Sequence, residues 1–464
     1  MNRAALDQSV VLRSASKRLR LYSLYKCRAA TSGVWRTVPV MILVVMLFAA
    51  CAGTPASHKR TSRPLPIPTT TSATTIAPPA TAQPKKLQTS GPHTSLADIT
   101  FVSAKDGWVV GYHCSGSGDP FSGSASTAGN CYGIVLRTVD AGKVWQQEAV
   151  VAVPLYGVQF LNAYDGFAWG STQQPSPYAQ LYRTTNGGLA WQKLTLNPTE
   201  FYEFVSFANP ADGWAINWGG SCATDGQCPF DIYATSDGGN TWHKIATAGL
   251  ALTANGQKPP VGVAVLGGRD ISSAGYFGGS SGWFTEAAPW GGLDITTNDW
   301  KTELPNEPSF GGGGGGGGLA AFGGPAAPEH GWAIWANQSR PPVEITANMG
   351  RSWYHVANLS TLALTIAAAS DGNSAWVTTT TNWSSGTSTA LTVISSAGSI
   401  SSTNSTGGFN LFKLAPLNSQ QAWALTARTG QPYSIVHTTN SGATWQVQYR
   451  VAGVSTTTPS PYIP

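Results

Sequence analysis

Charge is scarce in this chain: 11% of its 464 residues are Asp, Glu, Lys or Arg. What charge there is divides unevenly. From Ser95 onward 14 basic residues stand against 21 acidic ones, a formal −7, although the whole chain sums to +5. Much of the excess lies upstream of an apolar segment, in Arg3, Arg13, Lys17, Arg18, Arg20, Lys26, Arg28 and Arg36. An acidic body excludes nucleic acid as the partner, because phosphate binding needs a cationic surface. Long hydrophobic runs are missing as well: the stretch Val38 to Ala50 is too short for an ordinary spanning helix. Zinc and phosphate-loop signatures are also absent. His113 beside Cys114 has no second Cys or His at finger spacing, and the run Gly311 to Gly318 lacks a Lys-Ser/Thr ending and opens no helix. No metal, cofactor or phosphate loop is expected, and the glycine run reads as an excursion between repeats.

The apolar segment follows Arg36 and ends in Phe48-Ala49-Ala50-Cys51-Ala-Gly. That is the form of a bacterial lipoprotein signal, with Cys51 as the lipidated first residue. The long stretch ahead of it fits a start codon placed too early; a cleaved secretory signal or membrane anchor in which Cys51 has no role is the alternative. Residues 51–94 are rich in Pro, Thr, Ser and Ala and cannot build a core, so they form a tether. The expected location is the outer face of a bacterial membrane or the extracellular space. Beyond Cys51 four cysteines remain, Cys114, Cys131, Cys222 and Cys228. Three pairings are open, and the two local ones, Cys114 with Cys131 and Cys222 with Cys228, are favoured because each pair sits in one loop. Each bridge would contribute on the order of 2–3 kcal/mol in an exported protein.

What the chain has in abundance is repetition. Thr138-Val-Asp140-Ala-Gly142-Lys-Val-Trp145 returns at Thr184 with Asn186 and Trp191, at Thr235 with Asp237 and Trp242, at Thr346 with Asn348 and Trp353, and at Thr438 with Asn440 and Trp445. Worn copies lie at Thr296 to Trp300 and Ser395 to Ser399. A second phrase, Asp106-Gly107-Trp108, recurs around Phe167, Trp214, Trp283, Trp332, Trp376 and Trp423, at spacings of 59, 47, 69, 49, 44 and 47 residues. Each interval is about one four-stranded propeller blade. The expectation is an all-β, seven-bladed β-propeller over 95–455, with a short tail at 456–464.

The physics of the first phrase is readable. Asp or Asn can accept hydrogen bonds from backbone N–H groups of its own turn, Gly permits a positive φ, and Trp buries an indole between sheets. A turn repeated around a ring is structural and marks no unique site. The long insertions fall on the other face: 112–132, 217–230, 248–274 and 285–292. Variable loops on one rim are where recognition is carried. Candidate binding residues there are Tyr112, His113, Asp119, Phe121, Trp218, Asp225, Phe230, Glu286 and Trp290, exposed aromatics with a few acids that suit an envelope protein or a surface glycan.

The first phrase resembles the Asp-box, S/T-x-D-x-G-x-T-W. Joined to Gly-Trp strands, as in Val135-Leu-Arg137-Thr-Val-Asp140 and Leu181-Tyr-Arg183-Thr-Thr-Asn186, it resembles the photosystem II stability and assembly factor family. That resemblance implies a non-enzymatic scaffold that binds assembly intermediates, although the acidic body, the cysteine pairs and the glycine run depart from it. Asp-boxes also occur in sialidases and other glycoside hydrolases, so an enzyme is the rival reading, beside a carbohydrate-binding propeller. A sialidase of the known type needs three Arg, an early Arg-Ile-Pro, a Tyr nucleophile and a Glu partner. The chain has no Arg-Ile-Pro, and its propeller holds only Arg137, Arg183, Arg269, Arg340, Arg351, Arg428 and Arg450. Other hydrolases need two carboxylates across a cleft; Glu203, Asp225, Glu286 and Asp294 are available and nothing selects a pair. No catalytic residue is assigned.

Overall fold

The computed structural model describes residues 93–118, 120, 127–171, 179–194, 202–218, 230–248, 264–266, 271–286, 293–300, 318–323, 327–335, 340–381, 387–427 and 431–452. Their strands form seven small sheets in a ring, a seven-bladed β-propeller, with no α-helix among the described residues. Blade one holds β1 (Thr94–Phe101), β2 (Gly107–Cys114), β3 (Cys131–Thr138) and β4 (Gln146–Val151). Blade two holds β5 (Leu155–Phe160), β6 (Gly166–Ser171), β7 (Ala179–Thr184) and β8 (Gln192–Leu194). Blade three holds β9 (Tyr202–Phe207), β10 (Gly213–Trp218), β11 (Phe230–Thr235) and β12 (His243–Ala248), and β13 (Ala264–Leu266) adds parallel to its outer edge. Blade four shows β14 (Ile271–Gly278), β15 (Ser281–Glu286) and β16 (Leu293–Thr296) among the described residues. Blade five holds β17 (Gly318–Gly323), β18 (Ala327–Trp335), β19 (Pro342–Thr346) and β20 (Tyr354–Asn358). Blade six holds β21 (Leu362–Ala368), β22 (Ser374–Thr380), β23 (Ala390–Ser395) and β24 (Ile400–Ser405), and blade seven β25 (Leu411–Pro416), β26 (Ala422–Thr426), β27 (Ser434–Thr438) and β28 (Gln446–Arg450).

Within each blade the strands pair antiparallel in chain order, so the connections alternate between two faces. One face carries the first-phrase turns, each closed by the same local bonds. In blade one, Thr138 Oγ1 donates to Asp140 Oδ1 (2.9 Å) and accepts from the Gly142 N–H (2.9 Å), while Asp140 Oδ1 accepts from the Val144 N–H (3.0 Å). Blades two, three, five and seven repeat all three bonds around Asn186, Asp237, Asn348 and Asn440. The backbone must turn left-handed there, with φ of 81° at Gly142 and 92° at Gly188, which glycine adopts without steric cost. One N–H of every turn then donates to the loop joining the two innermost strands, as Gly187 does to the Tyr164 carbonyl (2.8 Å).

Blade four differs in an instructive way. Its phrase is shortened, so Trp300 takes the glycine's place: its N–H donates to Thr296 Oγ1 (2.9 Å) and its φ is 62°. The indole turns inward, fully buried against Trp214 and Phe284. A left-handed tryptophan costs about 1–2 kcal/mol, which a buried indole offsets. The five intact phrases place their Trp less deeply than expected. Only Trp145 is buried, at 7% exposure; Trp191, Trp242, Trp353 and Trp445 are half-buried.

Blades adhere through aromatic rings. Phe101, Phe160 and Phe207, each ending an innermost strand, stack on Trp423, Trp108 and Phe167 of the preceding blade at 3.6, 3.6 and 3.5 Å. The phrase indoles Trp145, Trp191 and Trp242 meet the same three rings edge-on. The Phe101–Trp423 stack joins blade one to blade seven, and Gln448 Nε2 donates to the Ala141 carbonyl (2.8 Å) across the same seam. The ring therefore closes by side-chain packing, with each end blade completed by its own consecutive strands.

Innermost strands are edge strands, whose free backbone groups invite foreign pairing. Here the preceding blade occupies several of them. Asp98 Oδ2 accepts from the Val158 N–H (3.0 Å), Gln159 bonds both the N–H and the carbonyl of Phe207, and Ser206 Oγ accepts from the Tyr276 N–H (3.0 Å). Burial foremost pushes the Asp98 carboxyl up, while Lys413 and the two N–H groups it accepts from, Val158 and Ile99, pull it down.

Candidate functional site

The face opposite the turns carries one conspicuous structure, an arm built from β2 and β3. The two strands pair from Gly107↔Thr138 to Cys114↔Cys131, and the ladder continues beyond them. Ser115 N–H donates to the Asn130 carbonyl (3.0 Å), Gly116 N–H to Ala128 (2.7 Å) and Gly118 N–H to Thr127 (3.2 Å). In blade seven the corresponding strand stops at Thr426, three residues past its Trp, whereas β2 runs six residues past Trp108. Three further residues of strand project about 10 Å.

A disulfide between Cys114 and Cys131, with Cα atoms 4.1 Å apart, clamps the arm at its waist. This is one of the two local bridges expected from the spacing. β1 flanks the arm, since Thr94 pairs with His113 and the Cys114 N–H donates to the His93 carbonyl (3.0 Å). His113 is fixed from two sides: Thr94 Oγ1 lies 2.7 Å from its Nδ1, and its ring packs on Tyr132 at 5.2 Å. Burial foremost, and then the charge of His93, hold its pKa below the ordinary imidazole value. At neutral pH the arm therefore presents an uncharged imidazole beside Tyr112 and Tyr132, both half-buried.

Of the other rim candidates, those with a described backbone lie on blades three and four. Trp218 and Phe230 are register partners at the ends of β10 and β11, and Glu286 ends β15 opposite Ile271; their side chains lie outside the described residues. Asp119, Phe121, Asp225 and Trp290 lie wholly outside them, as do Cys51, Cys222 and Cys228. Of the carboxylates considered for a hydrolase, Asp294 alone has a described side chain, half-buried on β16. Among the described residues no three His, Cys, Asp or Glu side chains are grouped to hold a metal ion.

The turn face holds groups that residue-by-residue reading passes over. Arg137 lies over the Trp108 ring at 5.6 Å and against the backbone of Gly187 in the next turn; Arg183 lies over Phe167 at 5.8 Å and against Gly238. Each thus bridges its blade to the following one, yet the Nε of both is buried without a hydrogen-bond partner. Arg183, Asn186, Ala190, Trp191 and Gln192 line an open cleft of about 240 Å³ on the blade-two turn. The signal for this surface was present as unusual residues inside the repeated phrase, Val139, Val144 and Leu189, at positions where other copies are mostly polar.

No protein-family description and no curated protein sequence matches the chain. Solved structures do resemble it in fold. YCF48 bound to a D1 peptide is 16% identical over 63% of this chain and 80% of that one, with a TM-score of 0.40. A puromycin-hydrolysing peptidase of Mycobacterium tuberculosis is 12% identical over 77% of this chain and 54% of its own, with a TM-score of 0.44. An ancestral GH74 enzyme is 12% identical over 77% of this chain and 47% of its own, with a TM-score of 0.47. The chain spans about half the length of those two enzymes. These similarities are of fold alone, and the structures include two enzymes and a protein bound to a peptide. The seven-bladed ring stands on its own strand pairings.

Proposed function

We propose that this chain is a non-enzymatic, extracytoplasmic propeller, held at the outer face of a bacterial membrane through Cys51 and a Pro/Thr-rich tether, that binds or steadies an envelope protein or complex through its arm-bearing rim. The blade-one arm carries the reading. Among the described residues it is the longest hairpin between a second and a third strand, clamped by a disulfide and lined by an uncharged imidazole and tyrosines. Rigid aromatic side chains with polar tips bind protein surfaces at low entropic cost. The disulfide suits an oxidising, exported location, and β1 enters beside the arm, so the tether would leave the ring on the rim side.

Two measurements test this. A photoreactive amino acid at Ser117, exposed on the arm, should capture a specific envelope protein in intact cells, identified by mass spectrometry; a blank at good coverage refutes the rim as the binding face. Cys51→Ser should release the protein from membranes, and unchanged fractionation refutes the lipid anchor.

A further inference from the structure

The turns of the seven blades are built alike, so their exposed positions can be compared one with another. Four strongly exposed apolar side chains gather on the turn face of blades one and two: Val139 (55%), Val144 (52%), Leu189 (59%) and, in the loop between β5 and β6, Tyr164 (67%). Blade three has Ser236 and Thr241 where blade one has Val139 and Val144, and Asn240 where blade two has Leu189; blade seven has Thr439 and Thr444 in the places of the two valines. Ala211 and Gln420 stand in the place of Tyr164. The turn folds with either chemistry, so its geometry does not call for the apolar residues.

The turns of blades one and two meet at Gly187. The Gly187 N–H donates to the Tyr164 carbonyl (2.8 Å), the Arg137 guanidinium lies against that same glycine, and Leu189 adjoins the cleft that Arg183 lines. Neighbouring acids are engaged within their own loops: Asp106 accepts from Ser103 Oγ, Asp140 from Thr138 and Val144, and Asp165 from Asn162 Nδ2. Arg137 and Arg183 form no ion pair among the described residues and keep a buried Nε–H unmatched. A charge-assisted bond to a carboxylate is the strong way to satisfy the outer nitrogens of a guanidinium.

We propose that the turn face of blades one and two is a second docking surface, for an extended protein segment that carries aliphatic side chains beside a carboxylate. The aliphatic groups cover Val139, Val144, Leu189 and Tyr164, and the carboxylate lies against a guanidinium of this face, Arg183 at its cleft or Arg137 at the seam before it. An anionic bilayer is disfavoured as the occupant because the propeller as a whole is acidic, with 14 basic against 21 acidic residues from Ser95 onward. A carboxylate on a peptide meets only the local guanidinium. This surface is opposite the rim argued above and stands or falls separately.

In the test, p-benzoylphenylalanine is placed at Tyr164 or at Leu189 of the full chain in intact cells, with Thr444 of blade seven as the control position. The expected result is one shared adduct from both sites and none from the control, mapping to a partner segment with Val, Leu or Ile within a few residues of Asp or Glu. Arg137→Gln with Arg183→Gln should lower the yield about tenfold. Should that pair melt early, Leu189→Asp, an exposed change that repels a carboxylate, should abolish the adduct from Tyr164 with the melting temperature unchanged. The proposal is overturned by no adduct from either site, by adducts to lipid, glycan or a second copy of this chain, by a captured segment lacking an acid, or by folded variants that crosslink as well as the parent. Failure here with capture at Ser117 leaves the rim reading intact.

Discussion

The seam from blade seven through blades one and two into three and the seams around blade six do the same task with different chemistry. On the first arc each innermost strand ends in a phenylalanine that stacks at 3.5–3.6 Å on an aromatic ring of the blade before it. Around blade six the equivalent register positions are Ala368, paired with Ala375, and Pro416, paired with Ala422. There the preceding indoles keep only their hydrogen bonds, Trp332 Nε1 to the Ser395 carbonyl (3.2 Å) and Trp376 Nε1 to the Asn418 carbonyl (3.0 Å), a kind of bond that Trp108 on the stacked arc also makes, to Gly187 (2.9 Å). The second phrase changes with the seam. In each blade whose innermost strand ends in a stacking phenylalanine, the residue paired with it is Gly107, Gly166 or Gly213, and a Cβ there would run into the ring of Phe101, Phe160 or Phe207 of the same blade. Where the paired residue of the innermost strand is not aromatic, as at Ala368 and Pro416, alanine takes the position, Ala375 and Ala422. The glycine of the second phrase is thus a socket for the ring that ends its own blade's innermost strand, and its identity reports which kind of seam that blade makes with the one before it.

The comparison can be broken most forcefully at a stack. Phe160→Ala should cost about 3–5 kcal/mol in denaturant unfolding, as deletion of a core aromatic does; a cost below about 1 kcal/mol would mean that the stacked arc is no more dependent on its rings than blade six. Next comes the arm on the same arc. Replacing both cysteines, Cys114→Ser with Cys131→Ser, should remove about 2–3 kcal/mol, given a sequence separation of 17, and the parent should lose the same amount on reduction.

The socket itself offers a smaller and more selective effect. Gly166→Ala should cost about 1–3 kcal/mol through overpacking against Phe160, and that cost should vanish in the Phe160→Ala background, where a double-mutant cycle isolates the contact. The reverse change on the other arc, Ala422→Gly, should cost only about 0.5–1 kcal/mol, the backbone entropy of glycine. The smallest effect concerns pH. Hydrogen bonds from the Thr241 hydroxyl and then its N–H hold the Asp237 carboxyl down at about 2, against 3.8 ordinarily. Because the folded pKa is depressed, the stabilisation is present above about 3.8 and is lost as pH falls through about 2. A melting-temperature advantage of the parent over Asp237→Asn should therefore shrink across that interval. Blade seven, with Asn440 in the same turn, should show no counterpart when Asn440 is replaced by Gln.

Much of the ring was legible because its determinants are local. Thr138, Asp140 and Gly142 lie within a few residues of one another, and their mutual bonds need only that stretch of chain. Repetition then converts seven local turns into a blade count. The Cys114 to Cys131 bridge was legible for the same reason, since the two residues close one hairpin. The shortened blade-four phrase was legible as worn, but not that Trp300 would stand in the glycine's place; its burial against Trp214 of the preceding blade decides that. β13 was read as part of an insertion, because parallel addition to the outer edge of blade three has no periodic signature over three residues.

The candidate surfaces divide along the same line. Sequence alone determined that the chain repeats a self-closing turn and a glycine-aromatic strand, that it is acidic from Ser95 onward, and that its insertions favour one rim. Tertiary structure decided which apolar residues remain uncovered. Val139, Val144 and Leu189 stand out in sequence only against the other copies of the phrase, Tyr164 does not stand out at all, and Arg137 and Arg183 look like ordinary surface cations. Exposure and the lack of an acceptor are properties of what neighbouring blades bring alongside, and those neighbours lie about one blade length away in the chain, beyond the reach of any local pattern.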